Sequence, residues 1–214
     1  REASMLRRLE HPCIVKLISA FIEEKIELRT MVMKGYLKMP FLVGGTLCRW
    51  MQDVDPSEQQ KHRVLMQVLQ GLEHLRQNRI IHCDIKPANI LMTSKDEHAE
   101  PQIADFDVSK EQEDRARELA ATVTTALAVG TLNYMAPELT NPSTGKMKVS
   151  HKSDMYSFGL VMLEVLTEAP IRPTHRDDVM ALLAGLQGEA KDLVARLLDP
   201  VPSKRLSSAE ALTH

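Results

Sequence analysis

Along the opening stretch REASMLRRLE, Ala3, Leu6 and Leu9 share one apolar face with Met5, and His11-Pro12 follows. A helix is expected there that ends before the proline, which can neither donate nor fit inside a helical turn. Residues 14–22, 26–33 and 36–42 are rich in Ile, Val, Leu and Met and read as three extended segments, closed by Gly44-Gly45. Thr46 to Gln52 reads as a short helix. A longer one opens at Asp55-Pro56-Ser57, where Ser57 and Gln60 have capping-box spacing. Its apolar positions, Val64, Leu65, Val68, Leu69, Leu72 and Leu75, recur at helical period and predict one buried face. After Asn78 the pattern shortens. Residues 80–81, 90–92 and 102–104 are small apolar pieces around a polar loop, and Ser109 to Ala121 reads as a charged, mobile stretch. Ser153 to Glu168 is apolar on nearly all sides, as expected of a helix inside a domain. Helices are expected over 174–184, 188–198 and 207–214. A few strands followed by a helical body is an α+β arrangement with segregated elements.

Composition narrows the function classes. At 214 residues the chain is one large domain or two small ones. Its 27 basic and 29 acidic residues leave a formal charge of −2, so nucleic acid and anionic membranes are not expected as partners. Hydrophobic residues at 43% and charged residues at 26% argue for a folded chain. No apolar run is long enough for a membrane helix. Three scattered cysteines, Cys13, Cys48 and Cys83, fit a reducing, cytoplasmic setting better than a disulfide or zinc framework.

Candidate chemistry concentrates in His82-Cys83-Asp84-Ile85-Lys86-Pro87-Ala88-Asn89, which sets an acid, a base and an amide within six residues. Asp105-Phe106-Asp107, Gly130-Thr131 and Met135-Ala136-Pro137-Glu138 follow. Phosphoryl transfer needs such parts: a carboxylate to orient the attacking hydroxyl, a cation to offset moving charge, and oxygen ligands for magnesium.

In order and spacing, these motifs resemble the eukaryotic protein kinase family, and the resemblance runs from Arg1 to His214. HCDIKPAN stands where the family has its HRD catalytic loop, DFD where it has DFG, and APE is intact. The resemblance implies a bilobal fold, with a small-lobe remnant over 1–41 and the hinge end and helical large lobe over 42–214. It implies ATP and Mg²⁺ as cofactors, a protein substrate, and transfer of the γ-phosphoryl group to Ser or Thr, since the Lys two residues after Asp84 is the serine/threonine form. Asp84 would orient the hydroxyl and take its proton, and Lys86 would offset γ-phosphate charge. Asn89 and Asp105 would bind Mg²⁺, and Thr131 would contact Asp84 and Lys86. Glu2 matches the small-lobe glutamate that pairs with a strand lysine. Met39 matches the gatekeeper, Pro40 and Leu42 the backbone facing adenine, and Leu91 the floor of the adenine site. Leu6, Leu17, His82 and Phe106 match four stacked side chains that join the lobes. Asp154 matches the anchor of the catalytic loop, and Glu138 and Arg205 match a buried ion pair.

The family's glycine-rich loop and strand lysine would precede Arg1, so the sequence is expected to be a fragment without activity of its own. About eight extra residues around 26–34 are either a longer hairpin or an error in the gene model. Cys83 replaces the arginine that receives an activation-loop phosphate. Phosphorylation at Thr122, Thr124 or Thr125 is therefore not expected to be required. Asp107 replaces a glycine that permits unusual backbone angles. The added charge either raises Mg²⁺ affinity or restricts the loop. An active kinase is the first reading, and a pseudokinase acting as a nucleotide-binding or scaffolding module is the alternative.

Overall fold

The computed structural model describes residues 2–27, 30–111, 131–140, 149–171 and 176–214. Helix α1 (Glu2–Leu6) is shorter than its apolar pattern, because Arg7 and Arg8 already turn ahead of His11-Pro12. Strands β1 (Ser19–Glu27) and β2 (Thr30–Lys38) pair antiparallel from Ser19↔Lys38 to Glu27↔Thr30. This corrects the expected three extended segments. The 26–33 segment straddles a chain reversal that no Gly, Pro, Asn or Asp announces, and Ile14 makes only an isolated bridge to Ile103. Residues 26–27 and 30–34 of the extra segment are paired into this hairpin.

Beyond the hairpin come β3 (Gly45–Thr46), α2 (Leu47–Val54) and α3 (Glu58–Gln77). The capping box forms as the spacing predicts: Ser57 Oγ accepts the Gln60 N–H, and the Gln60 side chain accepts the Ser57 N–H. Four short strands follow, β4 (Ile80–Ile81), β5 (Ile90–Met92), β6 (Pro101–Ile103) and β7 (Lys110–Glu111). They form a sheet of order β3-β5-β6 and a pair β4-β7. Helices α4 (Pro137–Thr140), α5 (His151–Thr167), α6 (Arg176–Gly185), α7 (Gly188–Leu197) and α8 (Ser208–Leu212) complete the body.

The core lies between α3 and α5. Val64, Leu65, Val68, Leu69, Leu72 and Leu75 of α3 are buried with Met155, Phe158, Val161, Leu163 and Val165 of α5. Lys61, buried on α3, pairs with Glu58 and with Glu168 just past α5, which ties the two helices at one end. The β3-β5-β6 sheet then sets the polar 82–89 loop against this core, since the loop enters from β4 and leaves through β5.

Gly44, which hands the chain into β3, is closed in by backbone: a Cβ there would lie 2.3 Å from the Ser94 carbonyl oxygen and 2.5 Å from that of Met92. Backbone cannot yield as a side chain tip does, so overpacking dominates. Gly44→Ala is expected to lower the unfolding free energy by about 2–3 kcal/mol in urea titration. A variant as stable as wild type would show that the turn relaxes freely.

Candidate active site

The 82–89 loop is held from 70 residues away. Asp154, buried in the first turn of α5, accepts the His82 N–H at 2.8 Å on Oδ2 and the Cys83 N–H at 2.9 Å on Oδ1. Burial pushes its carboxyl up, to about 7, against the pull of these two donors. With both amides committed, Cys83 takes a left-handed backbone angle, φ 68°, uncommon for a residue with a Cβ. Its Sγ points back to the Ile81 carbonyl at 3.6 Å. His82 is fully buried; Nε2 lies 3.0 Å from the Ala104 carbonyl, and Nδ1 accepts the Asp84 N–H at 3.3 Å. One nitrogen must therefore donate and the other accept, which defines a neutral ring. Burial pushes His82 down to about 4.

The loop then presents its functional groups together. Lys86 Nζ lies 2.7 Å from Asp84 Oδ2, and Asn89 Nδ2 donates to the same oxygen and to the Asp84 carbonyl, each at 2.9 Å. Asp84 Oδ1 is buried and has no partner among the described residues. A buried carboxylate oxygen left open costs free energy, so it marks a place prepared for an incoming donor. Because Asn89 spends its amide nitrogen on Asp84, its carbonyl oxygen is the atom left for a cation.

Asp105 follows β6 on an exposed turn, also left-handed at φ 65°. Partial burial and then Asp107 raise its carboxyl, and Asp84 and Lys86 are near enough to act on it as well. The structure thus gathers Asp84, Lys86, Asn89 and Asp105. It also brings Glu2 to them: its carboxyl hydrogen-bonds to Asp107 and to the Phe106 backbone, and burial followed by Asp107 pushes it up to about 7. The sequence gives no sign of this contact, since Glu2 matches a glutamate whose lysine partner would precede Arg1. Spacing alone cannot bring residues 2 and 107 together.

The rings of His82 and Phe106 meet edge to face at 4.8 Å, with Leu6 and Phe106 in the core and Leu17 packed against it. Arg205 bonds both oxygens of Glu138 at 2.9 and 3.0 Å with its side chain wholly buried, and Ser153 also donates to Glu138. Of the expected adenine-site residues, Leu91 pairs with Thr46 and Gln102 in the middle of the β3-β5-β6 sheet. Met39 and Pro40 are exposed in the segment after β2, and Leu42 is half-buried there. Thr131 opens a 3₁₀ turn ending at Tyr134, but its side chain, like Thr122, Thr124, Thr125 and the charged stretch from 112 onward, lies outside the described residues.

The neutral His82 has a pH consequence. Its folded value lies below the ordinary 6.5, so the folded state binds fewer protons than the unfolded one between about 4 and 6.5. The stability it contributes is complete above that window and is lost as pH falls through it. His82→Phe removes this dependence. The stability gap between wild type and variant, measured by urea titration, is expected to be widest near neutral pH and to narrow as pH falls toward 4. A gap constant with pH would contradict the neutral, buried ring.

Comparison with known proteins agrees with the geometry. A protein kinase domain model matches residues 1–214. Ribosomal protein S6 kinase 2 alpha of Xenopus laevis is 33% identical over 218 residues, covering 97% of this chain and 27% of that protein. Ribosomal protein S6 kinase alpha-1 of Homo sapiens is also 33% identical, with the same coverage. Myosin light chain kinase A of Dictyostelium discoideum is 30% identical over 229 residues, covering the whole of this chain and 70% of that protein. The chain thus spans about a quarter of the length of the S6 kinases it matches. Among the described residues no helix is long and apolar enough to cross a membrane. A loop of this geometry, in a chain matched from end to end by that one domain model, means that the chain belongs to the protein kinase domain family.

Proposed function

We propose that this chain carries the catalytic centre of a protein serine/threonine kinase, transferring the γ-phosphoryl group of ATP to a hydroxyl of a protein substrate. The observation that carries the reading is the buried, unpartnered Oδ1 of Asp84 beside an Oδ2 already held by Lys86 and Asn89. One oxygen is fixed, and the other is open to receive the hydroxyl. Asp84 orients that hydroxyl and accepts its proton as the oxygen becomes nucleophilic. Lys86, within reach of the same carboxylate, brings positive charge to where phosphoryl charge moves. The lysine form of the loop supports Ser/Thr over Tyr specificity. The S6 kinases and myosin light chain kinase are named for protein substrates, and this reading gives the present chain one too.

The donor set fits a magnesium nucleotide. Asn89 offers a carbonyl oxygen and Asp105 an exposed carboxylate, both hard oxygen ligands. When bound, the magnesium nucleotide supplies the phosphoryl group and a cation that offsets its charge. Backbone at Pro40 and Leu42 would face adenine, with Met39 as gatekeeper and Leu91 as floor. Residues 1–41 would form the small-lobe part and 42–214 the hinge end and large lobe. Asp107 leaves Asp84, Lys86 and Asn89 in mutual contact, so the site lends no support to a silent pseudokinase.

Asp84→Ala in the full-length protein is expected to lower kcat by about 10²-fold or more with little change in ATP affinity. Wild-type turnover in that variant would remove Asp84 from the role. Asp105→Asn is expected to weaken ATP binding only when Mg²⁺ is present, read by calorimetry with and without the ion. Equal losses in both titrations would show that Asp105 does not serve the metal.

A further inference from the structure

The turn between α1 and β1 is docked on α3 through two histidines 63 residues apart. The His11 and His74 rings stack at 4.9 Å between centroids and 27° between planes. Each ring also accepts a hydrogen bond. His11 Nδ1 takes the Cys13 N–H at 3.1 Å. His74 Nε2 lies 3.2 Å from Asn78 Nδ2, which donates to the His74 carbonyl at 2.9 Å and is thereby identified as the nitrogen. Both contacts need a lone pair on the ring, so both need a neutral ring. A proton at either nitrogen would turn an N–H toward another N–H, and two charged rings in a stack would repel.

This corner connects directly to the candidate site. Val15 donates to the Ile103 carbonyl at 2.9 Å, and Ile103 donates to the Cys13 carbonyl at 2.8 Å. Ile103 ends β6, two residues before Asp105. Gly71, one turn before His74 on α3, allows the close approach: a Cβ there would lie 2.9 Å from Ile103 Cδ1 and 3.2 Å from the Cys13 carbonyl. The turn, β6 and α3 thus meet without slack.

We propose that the stacked His11 and His74 form a proton-operated latch between the turn at residues 11–15 and helix α3, closed when both rings are neutral and opened by acid, with strand β6 and Asp105 released together with the turn. The inference stands apart from the kinase reading, since it concerns backbone protection rather than turnover. Burial, and then His74, already hold His11 below the ordinary imidazole value, which keeps the latch closed at neutral pH. The charged groups around it leave it unopposed. Glu73 of α3 is taken by Arg76, at 2.7 Å to each oxygen, and by Ser208 of α8. His151 of α5 sits against that pair. Glu100, before β6, acts on Cys13. Glu10 precedes the stack in the chain, and Arg8 is paired with Glu111. Among the described residues no carboxylate pairs with either ring to stabilise its charged form.

Residue-resolved amide hydrogen exchange on the whole chain tests this. Between about pH 7.5 and 5.5, after correction for intrinsic exchange, Cys13, Val15 and Ile103 are expected to lose at least about tenfold in protection while Leu163 in α5 holds its own. His11→Asn keeps an acceptor for the Cys13 N–H and His74→Phe keeps a stacking ring, and neither titrates. The double variant is expected to keep its protection within about twofold over the same range. Wild-type protection that does not change, or a double variant that opens as far as wild type, would overturn the latch. Should the double variant fail to fold, NMR titration of the wild-type ring protons decides. The Ile103 amide is expected to shift in step with the His11 ring protons as pH falls. An Ile103 amide that stays unmoved while the His11 ring titrates would overturn it equally.

Discussion

The contact on which the site depends is the pair of bonds from His82 and Cys83 backbone N–H to the Asp154 carboxylate. A loop of alternating polar residues has no strand or helix to use up its amides, and buried amides without partners are costly. Asp154 satisfies two of them at once from a helix fixed in the core, and so sets the direction in which the next residues leave. Asp84 then points one oxygen at Lys86 and Asn89 and leaves the other open. The ring of His82, locked between the Ala104 carbonyl and the Asp84 amide, carries the same order across to the strand before Asp105.

The Glu138–Arg205 pair plays the corresponding part for the segment after the site. Its charges are desolvated, so each depends on the other far more than a surface pair would. The bidentate geometry, with the Asp199 and Lys152 carbonyls as further acceptors, satisfies the guanidinium on most sides, and Ser153 donates to the Glu138 carboxylate. Asp154 lies in the first turn of α5, and the ion pair reaches the same turn through Ser153 and the Lys152 carbonyl.

Much of the site was legible because its chemistry is local. Asp84, Lys86 and Asn89 lie within six residues, and a 3₁₀ turn at Pro87–Asn89 suffices to fold the amide back onto the carboxylate. The helices were legible too, since Ser57 and Gln60 announce α3 and the all-round apolar run announces α5. The hairpin was less so. Its strands mix charge and apolar residues on both faces, and the reversal near 28 carries none of the residues that usually mark a turn. Two contacts between distant single residues left no trace in the motifs. Glu2 on Asp107 and His11 on His74 join positions whose local surroundings say nothing of each other. Such pairs emerge only from tertiary packing.

The distance between the loop and its anchor has a consequence for how the protein is made. A ribosome releases His82 and Cys83 about 70 residues before Asp154 emerges, and Glu138 waits a further 67 for Arg205. At roughly 5–20 residues per second, the nascent loop spends several seconds with its amides unanchored and its apolar neighbours uncovered. The site can therefore close only after the first turn of α5 has emerged. Protection of the growing chain by chaperones matters most in the interval between the emergence of β4 and the completion of α5.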